Sequence, residues 1–213
     1  MTSLRITEIF LSLQGESNTV GIPTVFIRLT GCPLRCVYCD TEYAFSGGER
    51  KEIRDIVNEV ASFGVPYVTV TGGEPLAQPA CLELMRQLVD LNYIVSLETS
   101  GAIDISEVDP RVVKVMDLKT PSSGELSKNR YENIPFLNRC DQVKFVIGND
   151  DDYIWSKNTI AQFQLFDCCE ILFSPVMDQQ NPKELAEKIL RDKLPVRFQI
   201  QLHKYLWDDA RGK

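Results

Sequence analysis

The sequence has a single histidine, His203, and no apolar run near the roughly 20 residues that a bilayer-spanning helix needs. Basic clusters are missing too: no block of Lys or Arg exceeds a pair, and 23 basic residues face 30 acidic ones for a net charge of −7. That balance argues against a nucleic-acid surface or a membrane partner. Met1 to Ile9 does not run from charged to apolar as a secretory signal does, so a soluble cytoplasmic protein is expected. No Gly/Ser-rich or Pro-rich linker interrupts the chain, which predicts one domain over residues 1–213. A disulfide framework is not expected either, because the seven cysteines are odd in number and no export signal accompanies them. Four of them, Cys81, Cys140, Cys168 and Cys169, are expected to pack as small hydrophobes.

What is present is alternation. Ile53, Ile56, Val57 and Val60 have the spacing of an amphipathic helix within Glu52 to Phe63, and the β-branched run Tyr67 to Thr71 predicts a buried strand after it. Helical patterns follow over Gln78 to Leu91, Asp151 to Phe163 and Pro182 to Arg191. Strands are predicted at Val25 to Leu29, Tyr93 to Leu97, Val112 to Leu118, Val143 to Ile147, Ile171 to Phe173 and Val196 to Leu202. Such alternation implies an α/β fold with a mainly parallel sheet, whose sites lie at the carboxyl ends of the strands. Polar clusters fall at those ends: TGGEP, ETSG and DLKTPSSG each follow a predicted strand.

Three cysteines stand apart. Gly31-Cys-Pro-Leu-Arg-Cys-Val-Tyr-Cys-Asp40 sets Cys32, Cys36 and Cys39 at C-x3-C-x2-C spacing, directly after a strand. A loop of this kind can wrap one side of an iron–sulfur cubane and leave one iron open to a small molecule. A structural zinc site wants a full tetrahedral set, usually as two pairs, and this chain has no second C-x2-C.

With Tyr38 in the last gap, the loop resembles the signature of the radical S-adenosylmethionine (SAM) superfamily. The resemblance implies that the open iron of a 4Fe-4S cluster binds SAM, and that reductive cleavage of SAM yields a 5′-deoxyadenosyl radical. It also implies an incomplete, modified (β/α) barrel. Thr71-Gly-Gly-Glu-Pro75 resembles that superfamily's glycine turn, in which paired glycines bring the backbone close to the amino group of SAM and a glutamate can accept from an ammonium. Residues implied at the cofactor are Tyr38, Cys39, Asp40, Gly72, Gly73, Glu74 and Pro75. Further along come Ser100, Gly101, Gln142, Val143, Lys144 and Ser174. A plainer reading stays open for some of these, with Lys144 a solvated charge and Gly101 an ordinary turn.

The flanking motifs LQGE, FIRLTGC, CDT, ETSG, DLKTPSSG and QLHK together resemble the 7-carboxy-7-deazaguanine synthases over almost the whole chain. That family converts 6-carboxy-5,6,7,8-tetrahydropterin to 7-carboxy-7-deazaguanine with loss of ammonia, on the route to queuosine. It uses Mg2+ and an electron donor such as flavodoxin, and is usually a homodimer. The resemblance implies substrate contacts from Leu13, Gln14, Gly15, Glu16, Arg28, Thr99 and His203. A pterin edge is a guanine-like set of donors and acceptors that Gln14 and Glu16 could match, and Arg28 suits a carboxylate. Arg28 in a structural ion pair and His203 as an ordinary histidine are the alternatives; Glu16 and His203 are also possible acid–base groups.

By the same resemblance Thr41 ligates Mg2+, whereas by ligand hardness alone Asp40 would be chosen. A turn or helix cap is the other reading of that pair. The chain runs past QLHK as a polar tail to Lys213, which leaves any C-terminal contact with the substrate open. A glycyl-radical-enzyme activating protein shares the cysteine spacing and the glycine turn but would need a surface for a protein substrate. A non-catalytic iron–sulfur or zinc module would have no use for the glycine turn.

Overall fold

The segment Pro23–Leu29 (β2), PTVFIRL, buries four successive residues from Thr24 to Ile27, as a strand covered on both faces must. In the computed structural model, which describes residues 2–208 and 210–213, it lies between two neighbours. On one side Ser3–Leu13 (β1) pairs antiparallel, and on the other Tyr67–Gly72 (β4) pairs parallel. Ile94–Thr99 (β5), Val113–Asp117 (β6), Gln142–Ile147 (β7), Glu170–Pro175 (β8) and Arg197–Phe198 (β9) extend the parallel run. Glu49–Glu52 (β3) pairs antiparallel with β1 at the far edge. Among the described residues this makes one nine-stranded sheet in the order β3-β1-β2-β4-β5-β6-β7-β8-β9, which does not close on itself. It is the mainly parallel sheet that the alternation predicts, left open as the incomplete barrel that the family resemblance implies.

Helices cover the sheet because their apolar residues recur on one side. Ile53–Ser62 (α1) buries Ile53, Ile56 and Val60, and Cys81–Asp90 (α2) buries Cys81, Leu84, Met85, Leu88 and Val89. Asp150–Gln162 (α3) starts at Asn149, whose side chain accepts from the Asp152 amide. Pro182–Asp192 (α4) starts at Asn181, which accepts from the amides of Lys183 and Glu184. Each cap is worth about 1 kcal/mol. The core runs continuously from Leu4 and Ile6 of β1 to Leu185 and Ile189 of α4. No helix among the described residues is long and apolar enough to cross a membrane.

Three expectations change. The strand predicted over Val196 to Leu202 is only the two residues of β9, and Leu202–Trp207 (α5) is helical. The reason is tertiary: Gln199 exchanges hydrogen bonds with the Ser17 backbone, and the Leu202 amide donates to Gly15 O at 3.0 Å, so the β1–β2 loop takes the backbone away from the sheet. The antiparallel strands β1 and β3 are additions to the predicted series. Of the four outlying cysteines, Cys81 and Cys169 are buried as expected, but Cys140 is exposed in the turn before β7.

Candidate active site

The carboxyl ends of β2, β4, β5, β6 and β7 open into two adjoining cavities separated by charged side chains. Asp40, Asp117, Lys119, Lys144 and Gln201 line both. One cavity reaches the cysteine loop at Cys36, Tyr38 and Cys39. The other is walled by the β1–β2 loop, by Arg28, and by the ends of β4 and β5.

The cysteine loop is held by the glycine turn. A Cβ on Gly73 would lie 2.4 Å from Gly31 O and 2.7 Å from Cys32 Cβ, and one on Gly72 would lie 2.4 Å from Leu29 O. The Glu74 amide donates to Gly31 O at 2.8 Å. The paired glycines are thus needed first for backbone contact with the loop that carries Cys32. Cys32, Cys36 and Cys39 are free thiols of intermediate exposure. Among the described residues no three His, Cys, Asp or Glu side chains converge as one metal ion would require. A cubane fits, since its thiolates bind separate irons and need not meet at a point. Burial pushes the Cys36 thiol up to about 11, while the Lys119 ammonium works against it.

Glu74 is turned inward. Its carboxylate accepts from Thr99 Oγ1, the Ser100 amide and hydroxyl, and the Leu76 amide, at 2.5–3.0 Å. It therefore locks the end of β5 to the end of β4, and the Thr99 hydroxyl is committed to it although Thr99 lines the cavity. Pro75 opens the short 3-10 turn behind Glu74 and is buried. Gly101 has φ +70 and backs onto Met116, as a turn glycine does.

Buried charge concentrates at this mouth. Lys144 Nζ lies 2.8 Å from Glu16 Oε2 and 3.9 Å from Asp117 Oδ2, and Lys119 Nζ lies 2.8 Å from the same Asp117 oxygen. Burial works against both ammonium groups, but the carboxylates of Glu16 and Asp117 for Lys144, and of Asp117 for Lys119, outweigh it and keep them protonated. Two carboxylate oxygens here, Glu16 Oε1 and Asp117 Oδ1, are buried with no hydrogen-bond partner. Glu98, at the end of β5, accepts from Thr71 Oγ1 at 3.1 Å and from Gln14 Nε2 at 3.3 Å. Burial, helped by the Glu16 carboxylate, pushes its carboxyl above the usual glutamate range.

Arg28 Nε donates to Glu8 Oε1 at 2.7 Å. The ion pair is therefore formed by one edge, and the residue also lines the cavity. A carboxylate would have to meet its terminal nitrogens instead of the Nε edge. Thr41 Oγ1 donates to Asp40 Oδ1 at 2.8 Å, while Asp40 Oδ2 receives Gln201 Nε2 and Lys204 Nζ, both at 3.2 Å. Burial pushes the Asp40 carboxyl up, yet Lys204 and Thr41 more than offset it and hold it well below the usual range. His203 packs on Gly15, where a Cβ would come within 2.2 Å of its Nδ1. The polar tail folds back over the mouth: Arg211 Cζ sits 4.3 Å from the Tyr43 ring centroid, and Lys213 joins the cavity wall.

Of the residues expected at the site, Leu13, Gln14, Gly15, Glu16, Arg28, Thr99 and His203 all line the first cavity. Seven line neither cavity: Cys32, Glu74, Pro75, Gly101, Gln142, Val143 and Ser174. Gln142 stands at the start of β7, its Oε1 accepting from the Asn18 amide; Val143 is in the core; and Ser174 Oγ donates to Gln199 O. A parallel strand presents its start away from the site, which is why Lys144 and Val146, further along β7, line a cavity and Gln142 does not. Glu98, Asp117 and Lys119 were legible only as parts of motifs. A charged residue at or just past the end of an apolar strand was the signal for each.

The family model for the Radical SAM superfamily matches residues 26–117. A 7-carboxy-7-deazaguanine synthase of Chlorobaculum tepidum is 46% identical, covering 98% of this chain and 97% of its own. One from Koribacter versatilis is 40% identical over 96% and 97%. Among solved structures, that of QueE from Escherichia coli superposes with a TM-score of 0.78 at 22% identity, covering 94% of this chain and 95% of that one.

Proposed function

The chain belongs to the 7-carboxy-7-deazaguanine synthase family of radical SAM lyases, and we propose that it contracts 6-carboxy-5,6,7,8-tetrahydropterin to 7-carboxy-7-deazaguanine with loss of ammonia. One observation carries this reading. A single cavity is lined both by Glu16, one oxygen of which has no hydrogen-bond partner, and by Arg28, so one small ligand with an N–H-rich edge and a carboxylate suits both.

Cys32, Cys36 and Cys39 would hold the 4Fe-4S cluster, and the backbone at Gly72 and Gly73, with Tyr38 and Ser100, would receive SAM beside it. When bound, these cofactors supply the radical that activates the substrate. Everything else falls to the chain. Lys144 pairs with Glu16 at 2.8 Å and holds its carboxylate in place, and Arg28 orients the carboxylate of the substrate. Glu98, its carboxyl raised by burial, lines the same cavity and accepts from Gln14 and Thr71. Gln201, His203, Lys204, Arg211 and Lys213 of the carboxyl-terminal segment contribute to the cavity walls.

The lone pairs of Thr41 Oγ1 remain available once its proton is given to Asp40, while both Asp40 oxygens are occupied. This supports Thr41 as the Mg2+ ligand. The family resemblance extends the proposal to a flavodoxin-type electron donor, a homodimer, a cytoplasmic location and one domain over residues 1–213.

Anaerobically reconstituted protein should carry about four irons and absorb near roughly 400 nm. Given substrate, SAM, Mg2+ and a reductant, it should release deazaguanine and ammonia in equal amounts. SAM cleavage without that product would overturn the substrate assignment.

A further inference from the structure

Antiparallel pairing of β1 with β2 is interrupted at one place. Ile6 stands opposite Leu29, so an unbroken register would set Thr7 against Arg28 and residue 8 against Ile27. Instead Glu8 is the partner of Arg28. One extra residue has been inserted on β1, a β-bulge, and it turns a carboxylate onto the face where the guanidinium lies. Thr7, displaced, bonds Thr30 Oγ1 at 2.7 Å.

The bulged glutamate is itself held. Its Oε1 receives Arg28 Nε at 2.7 Å and the Tyr43 hydroxyl at 2.8 Å. Burial pushes that hydroxyl up to about 12, so it stays a donor. Arg28 Cζ lies 5.9 Å from the Phe10 ring centroid and 5.8 Å from that of Tyr43. A guanidinium is planar, so fixing Nε and packing it between such rings fixes where its other nitrogens point. Those terminal nitrogens make no hydrogen bond among the described residues. The cavity holds a competitor for them, since Glu98 lines the same wall and feels the charge of Arg28.

We propose that Glu8 is a positioning residue: delivered by the bulge in β1, it holds Arg28 by Nε so that the terminal nitrogens meet the carboxylate of the substrate rather than Glu98. This rests on the pterin reading above. Glu8 touches Arg28 and Tyr43, does not line the cavity, and acts only through Arg28.

The test compares reconstituted wild type, Glu8→Ala and Tyr43→Phe with SAM bound, titrating each with pterin-6-carboxylate and with pterin lacking the carboxylate. Glu8→Ala should weaken the carboxylated ligand about ten- to a hundred-fold, as loss of a charge-assisted contact does. The other pterin and the KM for SAM should stay within about twofold. In turnover the loss should fall on the KM of the pterin more than on kcat. Tyr43→Phe, which leaves the ion pair in place, should show the same selectivity on a smaller scale. Equal losses for both pterins, or no loss in either variant, would overturn the role of Glu8. A wild type with no preference for the carboxylated pterin would instead overturn the substrate reading, and this proposal with it.

Discussion

At the amino-terminal end of the sheet Lys114 Nζ pairs with Asp141 Oδ2 at 3.0 Å; at the carboxyl end Lys144 Nζ pairs with Glu16 Oε2 at 2.8 Å. The surroundings separate them. Asp141 also accepts from the amides of Lys114 and Asn138, both at 2.8 Å, so its carboxylate is saturated from within the fold. Glu16 keeps one oxygen orphaned, and so does Asp117 beside it. The other orphaned side-chain atoms among the described residues, Ser12 Oγ, Ser156 Oγ and Gln142 Nε2, are uncharged. A buried ion pair closed by its neighbours is architecture, whereas one left open is poised for a ligand.

The contrast is broken most severely at the closed end. Asp141→Ala strands the Lys114 ammonium in the interior and should cost roughly 3–5 kcal/mol, read by urea denaturation; a loss below about 1 kcal/mol would mean the pair is not closed at all. Glu16→Gln should do the opposite, leaving the fold nearly intact while lowering pterin affinity by about 1–3 kcal/mol in calorimetric titration. If it melts the protein as Asp141→Ala does, the two ends are alike.

A third effect is one of sign. The folded Glu98 carboxyl lies above its unfolded value, so the native state binds the proton more tightly. Stability from this group is then greatest below the unfolded value, about 4.3, and falls as pH rises through the folded pKa. Glu98→Gln removes that slope, so its advantage over wild type should grow from pH 4.5 to pH 8 in paired denaturation curves. An unchanged slope would place Glu98 in solvent. Smallest of all, Lys183→Ala breaks an exposed i,i+4 pair with Glu187 at 3.8 Å and should shift stability by about 0.5 kcal/mol or less.

Much of this was legible in order along the chain. Strand β4 was marked by its β-branched run and the other parallel strands by their alternation with helices, α1 and α2 by apolar spacing, and α4 by its Asn-Pro start. The edge strand β3, ERKE, has no apolar alternation to betray it. Strand β1 has such alternation only until its bulge shifts the phase. The glycine turn was found, but its first use, contact with Gly31 O and Cys32 Cβ, depends on a neighbour far back in the chain. Gln142 was misplaced because a motif does not say which end of a strand it occupies.

The sequence by itself determined the cysteine loop, whose resemblance to the radical SAM signature implies the radical-generating chemistry: C-x3-C-x2-C is a local spacing, and a short loop carries it wherever the rest of the chain goes. It also named most of the residues of the cavity. Which oxygens stay unpaired, which edge of Arg28 remains open, and why Gly15 has no side chain opposite His203 were decided only by tertiary structure. Hydrogen-bond satisfaction and steric contact join residues remote in sequence, and strand register sets who meets whom.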